Sequence, residues 1–474
     1  MPAPIRAAHR SWWLEEALSH PEFAGPEATP LRGDVTADVA ILGGGFTGMW
    51  TAWFLLERAP GIDVVLLEAD ICGGGPSGRN GGFCDAWWGH IGDVVATYGE
   101  ADALELLMAC GRSPSEIGAW CEAHGVDAWF RHVGVLAVAT NPAAEGRFGR
   151  TLEVARRLGL EDEYRLLTPE EVRARCASPV FRDGLFIPDA ANVQPARLAR
   201  GLRRVLIERG VRIFEGTPVT RFRASKPVEI ETPGGRVRAG EAVVGLGAWA
   251  TWWRPVAPYL TVRGSYIVIT APAPERLEEL GWTGGEAIHD VRPSVHYART
   301  TPDGRIALGL GGLQPGLAQR IDGRYDHHEG FARRVAADLA RWFPPFADVP
   351  IEAAWGGPIN VSGSTMPFFG SIGRHGNVHY GLGYTGNGVG PSHLGGKILA
   401  ALATHADDGF TRLAVVTREP KRFPPEPIRS LGAALVNAAV LREDDLADAG
   451  RPVDPLTRFV ARLPRRLGYS LGAH

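Results

Sequence analysis

The first clear hydrophobic pattern in the chain is an apolar run, a helical repeat and a second apolar run between residues 37 and 70. ADVAIL is a short apolar run of the kind that forms a buried strand. Pro60-Gly61 ends the helical repeat, and IDVVLLEAD supplies the next strand, which reaches Glu68. Apolar residues in the repeat FTGMWTAWFLLERA give the predicted helix one buried face: Phe46, Met49, Trp50, Trp53 and Phe54. The pattern predicts a strand–helix–strand unit.

Further along, the pattern alternates between helical stretches and short strands. Residues 91–180 are mainly helical apart from strands within 125–140, and residues 185–222 indicate a helix followed by a strand. VRAGEAVVGLGAWA predicts another apolar strand. TVRGSYIVIT, HYARTTPDGRIALGLGG and AAWGGPI indicate strands of an antiparallel sheet.

These elements predict an α/β fold with a second domain of α+β type. A Rossmann-like, discontinuous nucleotide-binding domain is expected to carry an inserted substrate domain with an antiparallel sheet. The predicted division is an N-terminal extension over 1–35, a nucleotide-binding domain from 36–90, 181–255 and 350–410, a substrate domain from 91–180 and 256–349, and a C-terminal extension over 411–474 that packs on the core.

Glycines mark the turns that face a ligand. Gly43, Gly45 and Gly48 have the G-x-G-x-x-G spacing between the first strand and its helix, and Glu68 ends the second strand. A dinucleotide pyrophosphate fits such a turn, and an acid at that place binds ribose hydroxyls. Two further glycine clusters, in 71–90 and 379–403, are also expected to face the ligand.

Composition narrows the partners and the location of the protein. The chain has 474 residues and a formal net charge of −3, which gives no reason to expect nucleic acid as a partner. No apolar run reaches the ~18 residues of a membrane span, and the N-terminus lacks the apolar segment of a signal peptide. We therefore expect a cytoplasmic protein without a membrane span.

Cysteine and histidine do not predict a metal site. The five cysteines form no C-x-x-C pair, which fits a reducing compartment better than a disulfide framework. His289 and Asp290 are adjacent, and His327 and His328 lie in a polar, loop-like stretch, so we expect no metal.

The C-terminal stretch RFVARLPRRLGYSLG is rich in arginine. A basic amphipathic segment can lie on a membrane surface. It is more often the solvated face of a helix, which is the interpretation that the sequence favours.

Six motifs occur in an order that resembles a known family. They are GGGFTG, LLEAD, SGRNGG, GEAVVGLGAW, AWGGPINVSGSTMPFFG and HYGLGYTGNGV, spread over about residues 32–405. They resemble the FAD-dependent D-amino-acid oxidase, glycine oxidase and sarcosine oxidase superfamily. SGRNGG and the late glycine cluster are most similar to gamma-glutamylputrescine-oxidase-like proteins. The resemblance implies FAD as the cofactor rather than NAD.

The resemblance also implies which residues meet the cofactor. The first glycine turn would hold the pyrophosphate at a helix N-terminus, Glu68 would bind the AMP ribose, and the backbone of Val219 would face the adenine. The late glycine turn would place a helix N-terminus near the pyrimidine end of the flavin. The whole implied set is Gly43, Gly45, Phe46, Thr47, Gly48, Glu68, Ala69, Ser77, Arg79, Asn80, Gly81, Gly82, Val219, Gly247, Ala248, Trp249, Gly386, Asn387, Gly388 and Val389.

Two departures from the family pattern bear on substrate and cofactor attachment. Amino-acid oxidases of the superfamily carry a carboxylate-binding arginine in a W-x-G-x-R segment, and Ile359 stands at that position here. Isoleucine cannot form a bidentate carboxylate clamp, so an amine substrate is favoured. Monomeric sarcosine oxidases carry their flavin-linking cysteine in the same segment, where this chain has Gly357, so FAD is expected to be bound non-covalently.

The expected chemistry is oxidation of a C–N bond in an amine. The flavin accepts a hydride at N5, and the imine hydrolyses to a carbonyl. An anionic group on the substrate would bind Arg263 or Arg299. His296 could act on a proton near neutral pH, but a lone histidine is more often structural. Candidate residues of the substrate pocket are Arg263, His296, Tyr297, Arg299 and Tyr384.

Three functional hypotheses follow. The first is an amine oxidase that passes electrons to O2 and forms H2O2. The second is a dehydrogenase that uses a quinone or a protein acceptor. The third is a flavin-binding protein without turnover.

Overall fold

The computed structural model describes residues 10–313 and 320–469. Most strands belong to two large sheets. The strands are β1 Val35–Leu42, β2 Val64–Leu67, β3 Phe83–Cys84, β4 Val135–Val138, β5 Arg165–Leu167, β6 Gly184–Ile187, β7 Ala191–Asn192, β8 Arg212–Phe214, β9 Arg221–Arg223, β10 Val228–Thr232, β11 Gly235–Val244, β12 Leu260–Thr270, β13 Ala287–Asp290, β14 His296–Thr300, β15 Ile306–Leu313, β16 Ile351–Ser362, β17 Phe368–Ile372 and β18 Val378–Leu382.

Helices cover both sheets. The α-helices are α1 Trp12–Leu18, α2 Pro21–Ala24, α3 Phe46–Arg58, α4 Ile91–Tyr98, α5 Glu100–Gly111, α6 Ser113–Ala123, α7 Gly149–Leu158, α8 Pro169–Arg175, α9 Pro195–Glu208, α10 Pro274–Glu279, α11 Gly323–Asp326, α12 Glu329–Trp342, α13 Val389–Ala403, α14 Gly409–Arg412, α15 Ala414–Thr417, α16 Ile428–Asp448 and α17 Pro455–Arg466.

The first sheet has a parallel centre in the order β18–β11–β1–β2–β8. Its register aligns Leu42 with Val244 on one side and with Leu67 on the other. The loops that follow these strands therefore leave the sheet at the same edge. Strand β17 is antiparallel to β18, and β10 and β9 extend antiparallel from β11. This arrangement confirms the predicted α/β, Rossmann-like fold.

The second sheet runs in the order β16–β12–β15–β14–β13–β4–β6–β5 and is antiparallel except for the pair β13–β4. Two of its strands, β6 and β16, fall within the segments 181–255 and 350–410, which were predicted for the nucleotide-binding domain. In the structure β6 pairs with β4 and β16 with β12. The pairing of β16 agrees with the antiparallel strand that AAWGGPI predicts, whereas only the long-range pairing assigns β6 to the second sheet. The stretch 125–140 contains a single strand, β4, rather than several.

Helices α3 and α13 pack against each other beside the first sheet. Met49 and Trp50 of α3 are fully buried. A Cβ at Gly396 of α13 would lie 2.6 Å from the Cβ of Trp50, so the glycine is what allows the close approach. This packing aligns the N-termini of both helices toward the same region.

The C-terminal extension forms an antiparallel pair of helices, α16 and α17, on the second sheet's side of the molecule. Asp448 of α16 pairs with Arg292 (2.6 Å) and Arg341 (2.9 Å), and Asp445 pairs with Arg334 (2.6 Å). No helix in the described part of the chain is long and apolar enough to cross a membrane.

Candidate active site

A cavity of about 1160 Å³ lies at the carboxyl edge of the parallel strands and continues along the second sheet. Crevices at this edge of a parallel sheet are the usual ligand sites of doubly wound folds. The cavity exceeds the ~300–1,000 Å³ that a single small ligand fills. It therefore has room for a dinucleotide and a substrate together.

The turn between β1 and α3 forms one wall of the cavity. Gly43 has φ +107°, and a Cβ there would lie 2.6 Å from the carbonyl oxygen of Gly245. Gly45 is the N-cap of α3 and provides no capping side chain. The first amides of a helix without such a cap, together with the helix dipole, favour an anion. This end of α3 therefore suits a pyrophosphate.

Glu68 lies at the end of β2 in the same wall. Its two carboxylate oxygens accept hydrogen bonds from the backbone N–H groups of Gly44 (2.8 Å) and Asp70 (2.9 Å). Burial raises the pKa of Glu68, and the two backbone bonds oppose this. Each oxygen keeps a second lone pair for a ribose hydroxyl.

The second glycine cluster is folded against the first turn. Ser77 Oγ accepts a hydrogen bond from the N–H of Phe46 (2.9 Å). Arg79 donates from Nε to the carbonyl oxygen of Gly74 (2.8 Å) and pairs with Asp326 (3.0 Å). Burial lowers the pKa of Arg79. These contacts hold the segment as an ordered part of the cavity wall rather than as a loose loop.

The opposite wall offers unpaired polar atoms. Within the described residues, Asn360 Nδ2 and Asn387 Oδ1 are buried and have no hydrogen-bond partner, and both residues line the cavity. Gly388 is the N-cap of α13, again without a capping side chain. Buried unpaired groups are costly unless a ligand satisfies them. The pyrimidine ring of a flavin presents matching carbonyl oxygens and an N–H, so the residues of both walls fit FAD.

Most of the implied cofactor residues share this cavity. Gly48 and Gly82 are the exceptions. A Cβ at Gly48 would overlap the carbonyl oxygen of Gly43, so Gly48 serves helix packing, and the N–H of Gly82 is bound by Asn80 Oδ1 (2.8 Å). The residues in the cavity wall are Gly43, Gly45, Phe46, Thr47, Glu68, Ala69, Ser77, Arg79, Asn80, Gly81, Val219, Gly247, Ala248, Trp249, Gly386, Asn387, Gly388 and Val389.

Two of the five substrate-pocket candidates line the cavity, Tyr297 and Tyr384. The hydroxyl of Tyr297 bonds to Ser265 Oγ (2.6 Å), and that of Tyr384 accepts from Thr47 Oγ1 (3.2 Å). Burial raises the pKa of both tyrosines, so both stay protonated at neutral pH.

The other three candidates lie outside the cavity wall. His296 is buried between Asp290 and Asp338, with Nε2 2.9 Å from the latter. Burial opposes the charge of His296, but the carboxylates prevail and its pKa is raised. Arg299 donates to the carbonyl oxygens of Val193 and Gly82. Arg263 on β12 pairs in register with Ile359, which lines the cavity, but it is not itself in the cavity wall. His296 and Arg299 thus serve the packing of the second sheet.

Sequence reasoning missed an acid in the cavity wall, Asp85. It follows β3 directly, and burial raises its pKa to about 7. His90 and His289 also line the cavity, and burial lowers the pKa of each. The aromatic rings of Phe83 and Tyr297 pack edge to face nearby. The only sequence signal was the single acid within the aromatic-rich stretch FCDAWW.

The outer part of the cavity is lined by the C-terminal helices and by residues near α7. Four of these residues are exposed arginines, Arg147, Arg458, Arg462 and Arg465. Three of them follow i, i+4, i+7 spacing and so share one face of α17. They outnumber the two acids of this part, Glu443 and Asp444.

The fold and the cavity are those of a dinucleotide-binding flavoenzyme. The family described as FAD dependent oxidoreductase matches residues 38–402, so the chain belongs to that family. This confirms the predicted family and FAD. Helices α16 and α17 lie beyond the matched residues.

Particular relatives can be named as well. The chain is 29% identical over 414 residues to gamma-glutamylputrescine oxidoreductase of Escherichia coli (strain K12), covering 85% of this chain and 93% of the relative. Its fold is similar to that of glycine oxidase from Geobacillus kaustophilus, with a TM-score of 0.66, 21% identity and coverage of 81% and 99%. It is similar too to L-proline dehydrogenase from P.horikoshii, with a TM-score of 0.63, 20% identity and coverage of 81% and 96%.

Proposed function

We propose that this oxidoreductase oxidises the C–N bond of an amine whose far end carries an anionic group. The observation that carries the proposal is the division of charge along the cavity. Asp85 lies in the aromatic inner part, and the arginines of α17 lie in the outer part. The relative from Escherichia coli is named for a substrate of this kind, an amine that bears a gamma-glutamyl group.

The inner part of the cavity suits an amine better than an α-amino acid. Ile359 lines the wall where an arginine would be needed to clamp a carboxylate, and Arg79 is already paired with Asp326. Asp85 offers the opposite charge, which attracts an ammonium. We therefore place the reacting nitrogen near Asp85 and the anionic group near Arg462.

Bound FAD would supply the hydride acceptor for the carbon next to the nitrogen. The chain must supply a neutral amine, because an ammonium has no lone pair to assist the loss of hydride. Asp85 is placed to accept the ammonium proton at its carboxylate, since its pKa is raised to about 7. Phe83 and Tyr297 exclude water and lower the pKa of the bound ammonium. Hydrolysis of the imine gives a carbonyl compound and releases the nitrogen as ammonia or an amine.

We propose O2 as the electron acceptor, which would be reduced to H2O2, and the cytoplasm as the location. A quinone or protein acceptor is the alternative, because the fold is common to an oxidase and a dehydrogenase. Stopped-flow mixing of the reduced enzyme with air distinguishes the two. Fast reoxidation supports O2. Slow reoxidation together with fast turnover on an artificial dye supports the alternative.

Anaerobic bleaching of the flavin tests the substrate class. We expect gamma-glutamylputrescine to bleach the flavin with at least about tenfold higher efficiency than butylamine, because a hydrogen bond to a charged group contributes about 1.5–3 kcal/mol. Glycine should bleach it poorly. Arg462→Gln should remove most of the preference. Arg466→Gln is the matched control, since Arg466 lies outside the cavity wall and packs over Phe459.

Two outcomes of this screen contradict the proposal in different ways. If butylamine bleached the flavin as efficiently as gamma-glutamylputrescine does, the proposal that the substrate carries an anionic group would be contradicted. Failure of every amine would overturn amine oxidation itself and favour a flavin-binding protein without turnover.

Denaturation is expected to release all of the FAD. Gly357 lines the cavity but cannot form a thioether, and none of the five cysteines, all within the described part of the chain, lines it. Acid precipitation should leave a colourless pellet and a supernatant with the absorbance of free FAD. Flavin that stays with the pellet would contradict non-covalent binding.

A further inference from the structure

Large apolar side chains remain exposed on the C-terminal helix pair, within the described part of the chain. Their exposed fractions run from 47% at Phe459 to 71% at Leu456. We call this set the outer face: Ile428, Leu431 and Leu435 on α16, and Leu456, Phe459 and Leu467 on or just after α17. Single exposed leucines are normal, but six large exposed apolar side chains on one pair of helices mark an interaction site.

Helical spacing places the α16 part of the outer face away from the protein body. Ile428 and Leu435 lie roughly opposite Asp444 and Asp448 around the helix, and Leu431 lies beside them. Asp444 accepts a hydrogen bond from Ser294, and Asp448 pairs with Arg292, so these acids face the body of the protein. The three apolar residues thus form a stripe on the side that the body leaves uncovered.

On α17, Leu456 lies on the side of its helix that faces away from the cavity. Leu456 and Phe459 are one turn apart, and Leu456 lies opposite Arg465, which lines the cavity. The two helices hold each other through a separate small cluster, with Val436, Ala439 and Val440 packed on Ala461. The outer face is therefore not used to join the helices.

Arginines at the edge of this face indicate what covers it. Of the four arginines of α17, Arg466 is the one that lies outside the cavity wall. Arg466 lies over Phe459, and Arg442 of α16 is exposed beside the same face. Apolar side chains bordered by arginine complement the acyl layer and phosphate groups of an anionic lipid surface. A two-fold contact with a second copy would instead bring equal positive charges together.

We propose that the outer face docks the enzyme on an anionic membrane surface. Helices α16 and α17 would lie in the plane of the interface, since neither can cross a bilayer. The solvated helix face that the sequence favoured does not account for six exposed apolar side chains. Docking through this face leaves the arginines of the cavity wall for the substrate.

Vesicle sedimentation of the full-length, flavin-loaded protein tests the docking. We expect binding to vesicles of phosphatidylcholine with phosphatidylglycerol and much weaker binding to phosphatidylcholine alone. The double variant Leu456→Gln/Phe459→Gln should bind about tenfold more weakly or worse, because two side chains no longer enter the lipid. Leu166→Gln, at a site 55% exposed on β5, is the matched control and should bind like the wild type.

Two results would overturn the docking. One is equal sedimentation of the wild type and the double variant. The other is a wild-type dimer in light scattering that the double variant converts to a monomer, which would assign the face to a second copy. Retained flavin and normal amine-driven bleaching in the variants show that the fold is intact. Because bleaching is measured without vesicles, failure of docking and failure of the proposed function are separate results.

Discussion

Asp85→Asn is expected to shift the rising limb of the pH profile of kcat/KM from about pH 7 to the pKa of the substrate amine. Above pH 7 the wild-type carboxylate is ionised, binds the ammonium and takes its proton. Efficiency should therefore rise through pH 7 and fall as the free amine deprotonates near pH 10. The variant can use only the neutral amine, so its efficiency keeps rising to about pH 10. At pH 7 we expect a loss of ~10²-fold or more.

Glu443→Gln is the control for this experiment. Glu443 is a carboxyl group in the outer part of the same cavity, so its loss should leave the limb near pH 7 in place. Initial rates across pH with the best amine of the bleaching screen provide the measurement. A limb near pH 7 that persists in Asp85→Asn would exclude Asp85 as the proton acceptor.

Gly43→Ala is expected to give a folded protein that purifies without FAD. The glycine has φ +107°, and a Cβ there would lie 2.6 Å from the carbonyl oxygen of Gly245. Alanine would therefore move the turn away from β11 and shift the amides at the start of α3, which we expect to hold the pyrophosphate. The ratio of flavin to protein absorbance measures the loss, and circular dichroism reports the fold.

Gly61→Ala separates backbone strain from displacement of the turn. Gly61 has φ +89°, but no atom lies within 4 Å of a Cβ placed there. Both variants incur about 1–2 kcal/mol of backbone strain, and only Gly43→Ala also displaces the cofactor turn. Full flavin content in Gly43→Ala, or equal loss in both variants, would contradict the proposed role.

Local patterns were enough to predict the cofactor half of the molecule. The strand–turn–helix at residues 37–58 is set by apolar periodicity and by glycine backbone freedom, and both act over a few residues. Glu68 follows from the same unit, since it ends the adjacent parallel strand. The structure places this unit and the two later glycine turns around one cavity.

Which of the candidate substrate-pocket residues face the cavity depends on how the strands of the second sheet pair. His296 and Tyr297 are consecutive on β14, and successive side chains of a strand point to opposite faces of the sheet. His296 therefore lies in an ion-pair cluster, whereas Tyr297 lines the cavity. Sequence alone cannot tell which side faces the ligand when both sides of a strand are buried. Strand β16 likewise joined the second sheet because β12 lies beside it.

The sequence by itself determined the strand–turn–helix unit and the glycine turns, because those depend on short-range backbone geometry. The order of six motifs indicated the family and FAD by resemblance. Only the tertiary structure decided that Asp85 enters the cavity, that Arg299 does not, and that α17 presents arginines to the cavity on one face and leucines outward on the other. These outcomes depend on contacts between residues far apart in the chain, which leave no local periodic signal.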